Sequence, residues 1–345
     1  MSKRTLRTLA AIVVGLVAIL YFLETDDRQD MVTDGNLLLP DLKARINEVT
    51  AVAVTRAGDD QPTRVVNEEG QWLVAARDGY PASVGAIREV LLALADARII
   101  EEKTSNPELY GQLGVQGPGV DGGESIELVL TTPDSDYRLI VGKSAQQSYR
   151  YVRIADAVPS FLIDRNPEIP DSPGDWLRQE IVDIDASRVR TISIVHADGD
   201  TIRISKESKD LTDFSVDNIP DGRELSYASV ANGIAGALAD LTLDDVRRHA
   251  DGNPIATTTY ETFDGLRITI SAVEDDDTDW IGFSADSFAI ETEDEGDGEE
   301  PASEEPDASQ EAADINARVA GWQYRLPDFK KNTLMRRWDD LLKSE

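Results

Sequence analysis

The sequence predicts an α+β protein: an N-terminal transmembrane helix, then two similar antiparallel-sheet units, each with a packing helix, and a C-terminal strand and helix. Three observations predict it. A single apolar run near the N-terminus has opposite charges on its two sides. Short alternating segments separated by turn residues follow it, in the rhythm of strands. The order strand–strand–strand–helix–strands then occurs twice.

The apolar run extends from Thr8 to Leu23, with Lys3, Arg4 and Arg7 before it and Glu24, Asp26 and Asp27 after it. At about 1.5 Å per residue it falls slightly short of the roughly 30 Å hydrocarbon core of a bilayer. Snorkelling of the basic residues and local thinning make up the difference. A secretory signal peptide has the same charge order, but cleavage requires small residues after the run. Here Leu20, Tyr21, Phe22, Leu23 and Glu24 are found instead, so an uncleaved anchor is expected over residues 1–24, with a polar tether over 25–35. The basic end belongs in the cytoplasm, which places the remainder on the opposite side. The chain has no cysteine, which excludes a lipoprotein anchor, disulfides and a thiol nucleophile.

The first unit is expected over residues 36–178. Val49–Thr55 is rich in β-branched residues and reads as a strand. Gly58-Asp59-Asp60 is a turn; Thr63–Val66 and Gln71–Ala75 are the next two strands, joined at Glu69-Gly70. Trp72 is expected to pack on the sheet. A helix follows Pro81 and Ser83, with Val84, Ile87, Val90, Leu91, Leu94 and Ala95 on one face. Asn106-Pro107 opens a loop through Gly119. Ile126–Leu130, Tyr137–Val141, Tyr149–Ile154 and Ser160–Ile163 then read as an antiparallel meander.

The pattern restarts in a second unit over 179–284. Val189–Val195 and Thr201–Ser205 flank the hairpin turn Asp198-Gly199. Asp213–Val216 is a third strand. A helix with Ser226 as N-cap carries Tyr227, Val230, Ile234, Leu238 and Leu241. Tyr260–Phe263, Leu266–Val273 and Trp280–Phe283 are strands. Ala51–Val54 matches Thr191–Ile194 in position, Ala82-Ser83-Val84 recurs as Ala228-Ser229-Val230, and Ala93–Asp96 recurs as Ala237–Asp240. Together with the element order, these point to an internal duplication.

Residues 285–314 are acidic and poor in apolar side chains, so a disordered insertion is expected there. Residues 315–345 complete the second unit: Trp322, Tyr324 and Leu326 alternate as a strand, and Asp328–Leu342 reads as a helix with Leu334, Trp338, Leu341 and Leu342 apolar. Its basic side carries Lys330, Lys331, Arg336 and Arg337, which would suit anionic lipid or a partner if packing did not claim them.

The formal net charge is −32. Residues 274–314 hold 18 acids and no Lys or Arg. A surface this acidic repels phosphate backbones, so no nucleic-acid partner is expected.

No catalytic constellation emerges, and no cofactor or metal is expected. Gly117-Pro118-Gly119-Val120-Asp121-Gly122 spells a dinucleotide fingerprint, yet it lacks the preceding strand and following helix that would hold a pyrophosphate. Glu293, Glu295, Asp297, Gly298 and Glu304 fall on calcium-loop spacing, but Pro301 interrupts the loop and no apolar helices flank it. His196 and His249 have no partner at ligand spacing. No Gly-x-Ser-x-Gly elbow is present.

Several stretches resemble a bacterial family known only as domain of unknown function 4340. They are Tyr80-Pro81-Ala82, Asn106 to Val115, Val141-Gly142-Lys143, Tyr151-Val152-Arg153, Asp175-Trp176-Leu177-Arg178 and Gly321 to Pro327. The resemblance implies an anchored, extracytoplasmic, β-rich protein of the bacterial inner membrane, with its N-terminus cytoplasmic and its bulk periplasmic. Such proteins often accompany ABC-type transporters, whose subunits are therefore the candidate partners. It supplies no catalytic residues. The expected function is a non-enzymatic accessory or binding component of a transporter-like complex. A carboxylate-based periplasmic hydrolase or a ligand-binding module acting on cell-wall material is the alternative. Asp175, Trp176 and Arg178 are the candidate partner or inter-unit contacts.

Overall fold

A computed structural model describes residues 36–119, 123–146, 148–290 and 307–343. Leu42–Arg45 forms one helical turn that buries Leu42. Strand β1 (Ala51–Arg56) buries Val52 and Val54. β2 (Thr63–Glu68) and β3 (Gln71–Val74) form a hairpin whose turn residues Glu69 and Gly70 both take positive φ. Asn67 Oδ1 accepts from Gly70 N at 3.0 Å to close that turn. β4 (Tyr80–Pro81) extends the hairpin by pairing with β3. Helix α1 (Val84–Ala95) buries Ile87, Val90, Leu91, Leu94 and Ala95, at the three- and four-residue spacing of one helical face. Beyond it lie β5 (Ile99–Thr104), β6 (Ile126–Thr131), β7 (Asp136–Gln146), β8 (Tyr149–Ile154) and β9 (Ser160–Ile163).

The second half carries β10 (Glu180–Val182), β11 (Val189–His196), β12 (Thr201–Ser205), β13 (Ser215–Val216), β14 (Leu241–Thr242), β15 (Asp245–Arg248), β16 (Ala256–Thr262), β17 (Leu266–Asp275) and β18 (Thr278–Ser287). Helix α2 (Ala308–Val319), β19 (Trp322–Arg325) and helix α3 (Asp328–Leu334) follow. The result is an α+β fold of mostly antiparallel sheets with a few helices.

The chain divides into two compact bodies, Met1–Pro62 with Ile87–Ile169 and Thr63–Ala86 with Pro170–Glu345. In the first, six antiparallel strands run in the order β1-β6-β7-β8-β9-β5. In the second, eight strands run β13-β12-β11-β16-β17-β18-β19-β15, beside the small pair β10-β14. The division differs from the sequence-drawn border at residue 178, because residues 63–86 and 170–178 both join the second body. Backbone contacts explain this. Ala82 bridges Leu177, Ser83 N donates to Trp176 O at 2.7 Å, and Arg178 N donates to Pro81 O at 2.9 Å.

Strict alternation builds the second core. Ile192, Ile194, Ile202, Ile204, Tyr260, Ile268, Ile270, Phe283 and Ala285 all turn inward and are buried. Helix α2 contributes Ala312, Ile315 and Val319. It is pinned by Asn316, which both donates to Ala285 O and accepts from Ala285 N, and by Arg188, which bonds Glu311 and Asp264.

Several expectations are corrected. The insertion expected over 285–314 is ordered at both ends: Ala285–Ser287 finish β18, and Asp307 caps α2 by accepting from Ser309 N. Its middle, residues 291–306, lies outside the described residues, and with it the whole of the calcium-spaced run from Glu293 to Glu304. The helix expected from Ser226 to Leu241 shrinks to a turn at Asn232–Ala235 and a 3-10 turn at Gly236–Leu238. Tyr227 is 61% exposed, and the Ser226 amide donates to Leu341 O instead. The C-terminal helix breaks at Met335 into α3 and a turn at Trp338–Leu341. β5 and β15 stand where the sequence shows no strand pattern, because Glu101-Glu102-Lys103 and Arg247-Arg248 mask their alternation. Among the described residues no helix is long and apolar enough to cross a membrane. The Thr8–Leu23 run expected to do so lies outside the described residues.

Candidate functional site

The segments singled out in the sequence gather into two clusters, one in each body. In the first, Asn106 Oδ1 accepts from Glu108 N at 3.1 Å and starts a 3-10 turn, Pro107–Leu109. One helical turn, Tyr110–Leu113, follows and ends at Gly114, whose φ is +70°. The segment expected to be a loop is therefore a tight helical corner. It presses on β7 at Gly142, where a Cβ would lie 2.3 Å from Leu113 O and 2.7 Å from Val115 Cγ1. Only glycine fits that approach. Arg153 closes the cluster: Nε donates to Val115 O at 3.0 Å, and Nη1 donates to Ala155 O at 2.7 Å and Ala157 O at 3.1 Å. Its guanidinium lies 4.8 Å from the centroid of the Tyr110 ring. The Tyr110 hydroxyl donates to Val158 O. Residues 120–122 of the glycine fingerprint lie outside the described residues.

The second cluster draws together β4, the 172–178 turn and β19. Tyr80 meets Trp322 edge-on at 5.0 Å and Tyr324 at 6.1 Å between ring centroids. Arg248 stacks on Trp322 at 3.8 Å, and Arg178 lies 5.9 Å from the Tyr80 ring centroid. Both tyrosines are fully buried. The Tyr80 hydroxyl, the Tyr324 hydroxyl and Arg178 Nε are buried with no hydrogen-bond partner. Burial pushes the Tyr80 phenol pKa up, against the pull of Arg178. Burial and then the Tyr80 neighbour push Tyr324 up. Both phenols therefore stay protonated, and the cluster gathers two hydroxyls, each able to donate and to accept, beside one N–H donor.

The three candidate residues fall in or beside this cluster, but with different duties. Asp175 Oδ2 accepts from Ser172 N at 2.9 Å and Ser172 Oγ at 2.8 Å, which holds the turn. Trp176 is 1% exposed and belongs to the core. Of the three, Arg178 alone stands against Tyr80. Tyr80, Trp322 and Tyr324 lie in the stretches that resemble the family, and no spacing rule joins residues so far apart.

Elsewhere, a polar cleft of about 350 Å³ is lined by Asp244, Asp277, Asp279, Asp328, Arg325 and Lys331. Lys331 bridges Asp279 at 3.1 Å and Asp328 at 3.4 Å, and the Asp279 hydrogen bond raises its pKa. The first body has a shallow trough of about 320 Å³ where Tyr149, Tyr151, Leu162 and Ile100 meet Lys103. The basic side of the C-terminal segment is drawn into the fold: Lys330 donates to Ala237 O and Ala239 O, and Arg337 pairs with Asp198. His196 is buried with Nε2 3.0 Å from Arg336 O, whereas His249 is exposed beside Asp251. Among the described residues no group of three His, Asp or Glu side chains is placed to hold a metal ion.

A family model described as Domain of unknown function (DUF4340) matches residues 72–261. That span is more than half of the 345 residues and takes in both clusters except β19. No curated protein and no solved structure matches the chain.

Proposed function

Because the chain belongs to the family described as Domain of unknown function (DUF4340), we propose that it is a non-enzymatic, single-pass cell-envelope protein. In this reading it is an accessory or binding part of an ABC-transporter-like complex. One observation carries the reading. Most of the signature side chains are spent on one another, as in the Tyr110–Arg153 web and the Tyr80–Trp322–Tyr324 stack. Residues used this way build rigid scaffold, and scaffold is what a partner-facing component needs.

Two further features support it. The charge-flanked run Thr8–Leu23 has the form of an anchor with cytoplasmic basic residues, which makes residues 25–345 periplasmic. The two bodies also follow one path: β1 pairs with β6, which leads through β7 to β8, while β11 pairs with β16, which leads through β17 to β18. We read this as the internal duplication, two similar sheet units each offering surface.

Co-purification from gently solubilised membranes tests the proposal. The expected result is a permease or ATPase of the ABC type in fixed ratio; a solitary protein would count against it. Protease added outside spheroplasts should digest the large domain, and a protected full-length chain refutes the orientation. The cleft at Asp244, Asp279 and Asp328 favours the second reading, a carboxylate-based hydrolase of cell-wall glycan. Release of glycan fragments by the wild type but not by Asp279→Asn would establish it.

A further inference from the structure

We propose that the outward face of the second body's sheet is the docking surface for a second copy of the chain. Register fixes its composition. Across β12, β11, β16, β17 and β18, one outward row reads Ser205, Thr191, Glu261, Arg267, Asp286. The next reads Arg203, Ser193, Thr259, Thr269, Ser284, and the third Thr201, Val195, Thr257, Ser271, Gly282. None of the fifteen is buried, although the residues alternating with them on these strands are, and Val195 is 44% exposed.

Charge and chemistry select the occupant. The chain carries a net charge of −32, yet this face holds Arg203 and Arg267 against Glu261 and Asp286, a balance of zero. Two copies approaching here meet little net charge repulsion. Nine of the fifteen are Ser or Thr, whose hydroxyls both donate and accept, so the face is its own complement. Eleven of the fifteen are Ser, Thr, Val or Gly, whose small side chains let two sheets approach to the roughly 10 Å of aligned face-to-face packing. Five strands about 4.8 Å apart and three rows along them span roughly 500 Å² on each copy, or about 1,000 Å² in total, where specific interfaces begin. A reversible dimer is therefore the expected species.

A two-fold axis along the strands sets β12 of one copy over β18 of the other. Arg203 then lies diagonally opposite Asp286 of the second copy, at the edge of the contact. Within one copy, the two residues sit on strands at opposite edges of this face.

Sedimentation of the full-length chain in mild detergent tests the proposal, with circular dichroism melting as the control for folding. The wild type is expected to show a concentration-dependent dimer, and Thr259→Arg at the centre of the face is expected to remain monomeric. Arg203→Asp and Asp286→Arg are each expected to weaken the dimer by about tenfold or more, and the double exchange R203D/D286R to restore it. Three outcomes overturn the proposal: a wild-type monomer at the highest soluble concentration, a dimer indifferent to Thr259→Arg, and a monomer whose face takes up cell-wall glycan in a manner lost in Thr259→Arg.

Discussion

The two signature clusters solve the same problem with opposite results. In the first body, the Arg153 side chain reaches three backbone carbonyls and a ring face, and the Tyr110 hydroxyl reaches a carbonyl. In the second, Arg178 and two tyrosines converge just as closely, yet three of their polar atoms stay unpartnered. A buried donor that finds an acceptor stabilises modestly, while one that finds none costs about 1–3 kcal/mol. The first cluster is thus built for stability. The second carries polar groups that packing alone does not require, which makes it the better place to look for a role beyond folding.

The largest loss is expected at Gly142. Gly142→Ala sets a methyl 2.3 Å from Leu113 O and 2.7 Å from Val115 Cγ1. The helical corner must then lift off β7, with an expected loss of roughly 3 kcal/mol or more. Hydrogen exchange should report it as early exchange of residues 106–115, with the second body unchanged. Arg153→Met follows at about 2–3 kcal/mol, because it strands the carbonyls of Val115, Ala155 and Ala157. Arg153→Lys should recover only part of that, since an ammonium cannot reproduce the guanidinium's stacking and planar fork.

How much of this was legible in the sequence depends on the range of the interaction. Alternation placed β1, the β2-β3 hairpin and the β6–β9 meander, and the three- and four-residue spacing placed α1, because those signals are local. The second helix failed for a physical reason. Tyr227, Val230, Ile234, Leu238 and Leu241 keep helical spacing, but Leu241 pairs in β14 and Tyr227 faces solvent. Tertiary pairing overrode a local pattern. The convergence of Tyr80, Arg178 and Tyr324 was beyond reach, since it depends on which strands become neighbours. So was Lys206, a lysine only 3% exposed and lodged 4.8 Å from the Phe214 ring centroid and 5.7 Å from that of Phe263. No neighbouring letter marks it as buried.

Within the second body another arginine is fully engaged. Arg188 bonds Asp264 at 2.6 Å and Glu311 at 2.6 Å, fastening α2 beside the sheet. Arg188→Met leaves both carboxylates unpaired and is expected to cost about 2 kcal/mol, read as a lower urea midpoint and faster exchange in 308–319. The same clamp predicts a pH dependence. Burial pushes the Asp264 carboxyl pKa up, but the Thr262 hydroxyl and the Arg188 charge outweigh burial and hold it below its ordinary value. A carboxylate depressed in the folded state contributes its full stability above the unfolded value of about pH 4. That contribution drains away as pH falls through the folded pKa. Asp264→Asn should therefore flatten the acid limb of stability below about pH 4 and leave the slope near neutrality unchanged. Urea midpoints measured from pH 2 to pH 7 decide it.

The smallest expected effect is the most informative about the second cluster. Tyr324→Phe removes a buried hydroxyl that has no partner and keeps the ring against Tyr80 and Phe283. If the hydroxyl is an uncompensated burden, its loss changes stability by less than about 0.5 kcal/mol or raises it slightly. Tyr80→Phe should behave alike, whereas Tyr80→Ala, which also removes the edge-on contact with Trp322, should cost about 3–5 kcal/mol. Thermal and urea melts of the two phenylalanine variants supply the test. A loss above about 1 kcal/mol in either means that the hydroxyl has a partner in solution; a loss in both that is not shared in a double-mutant cycle points to an internal water or a bound group, whereas a shared loss points to a bond between the two hydroxyls.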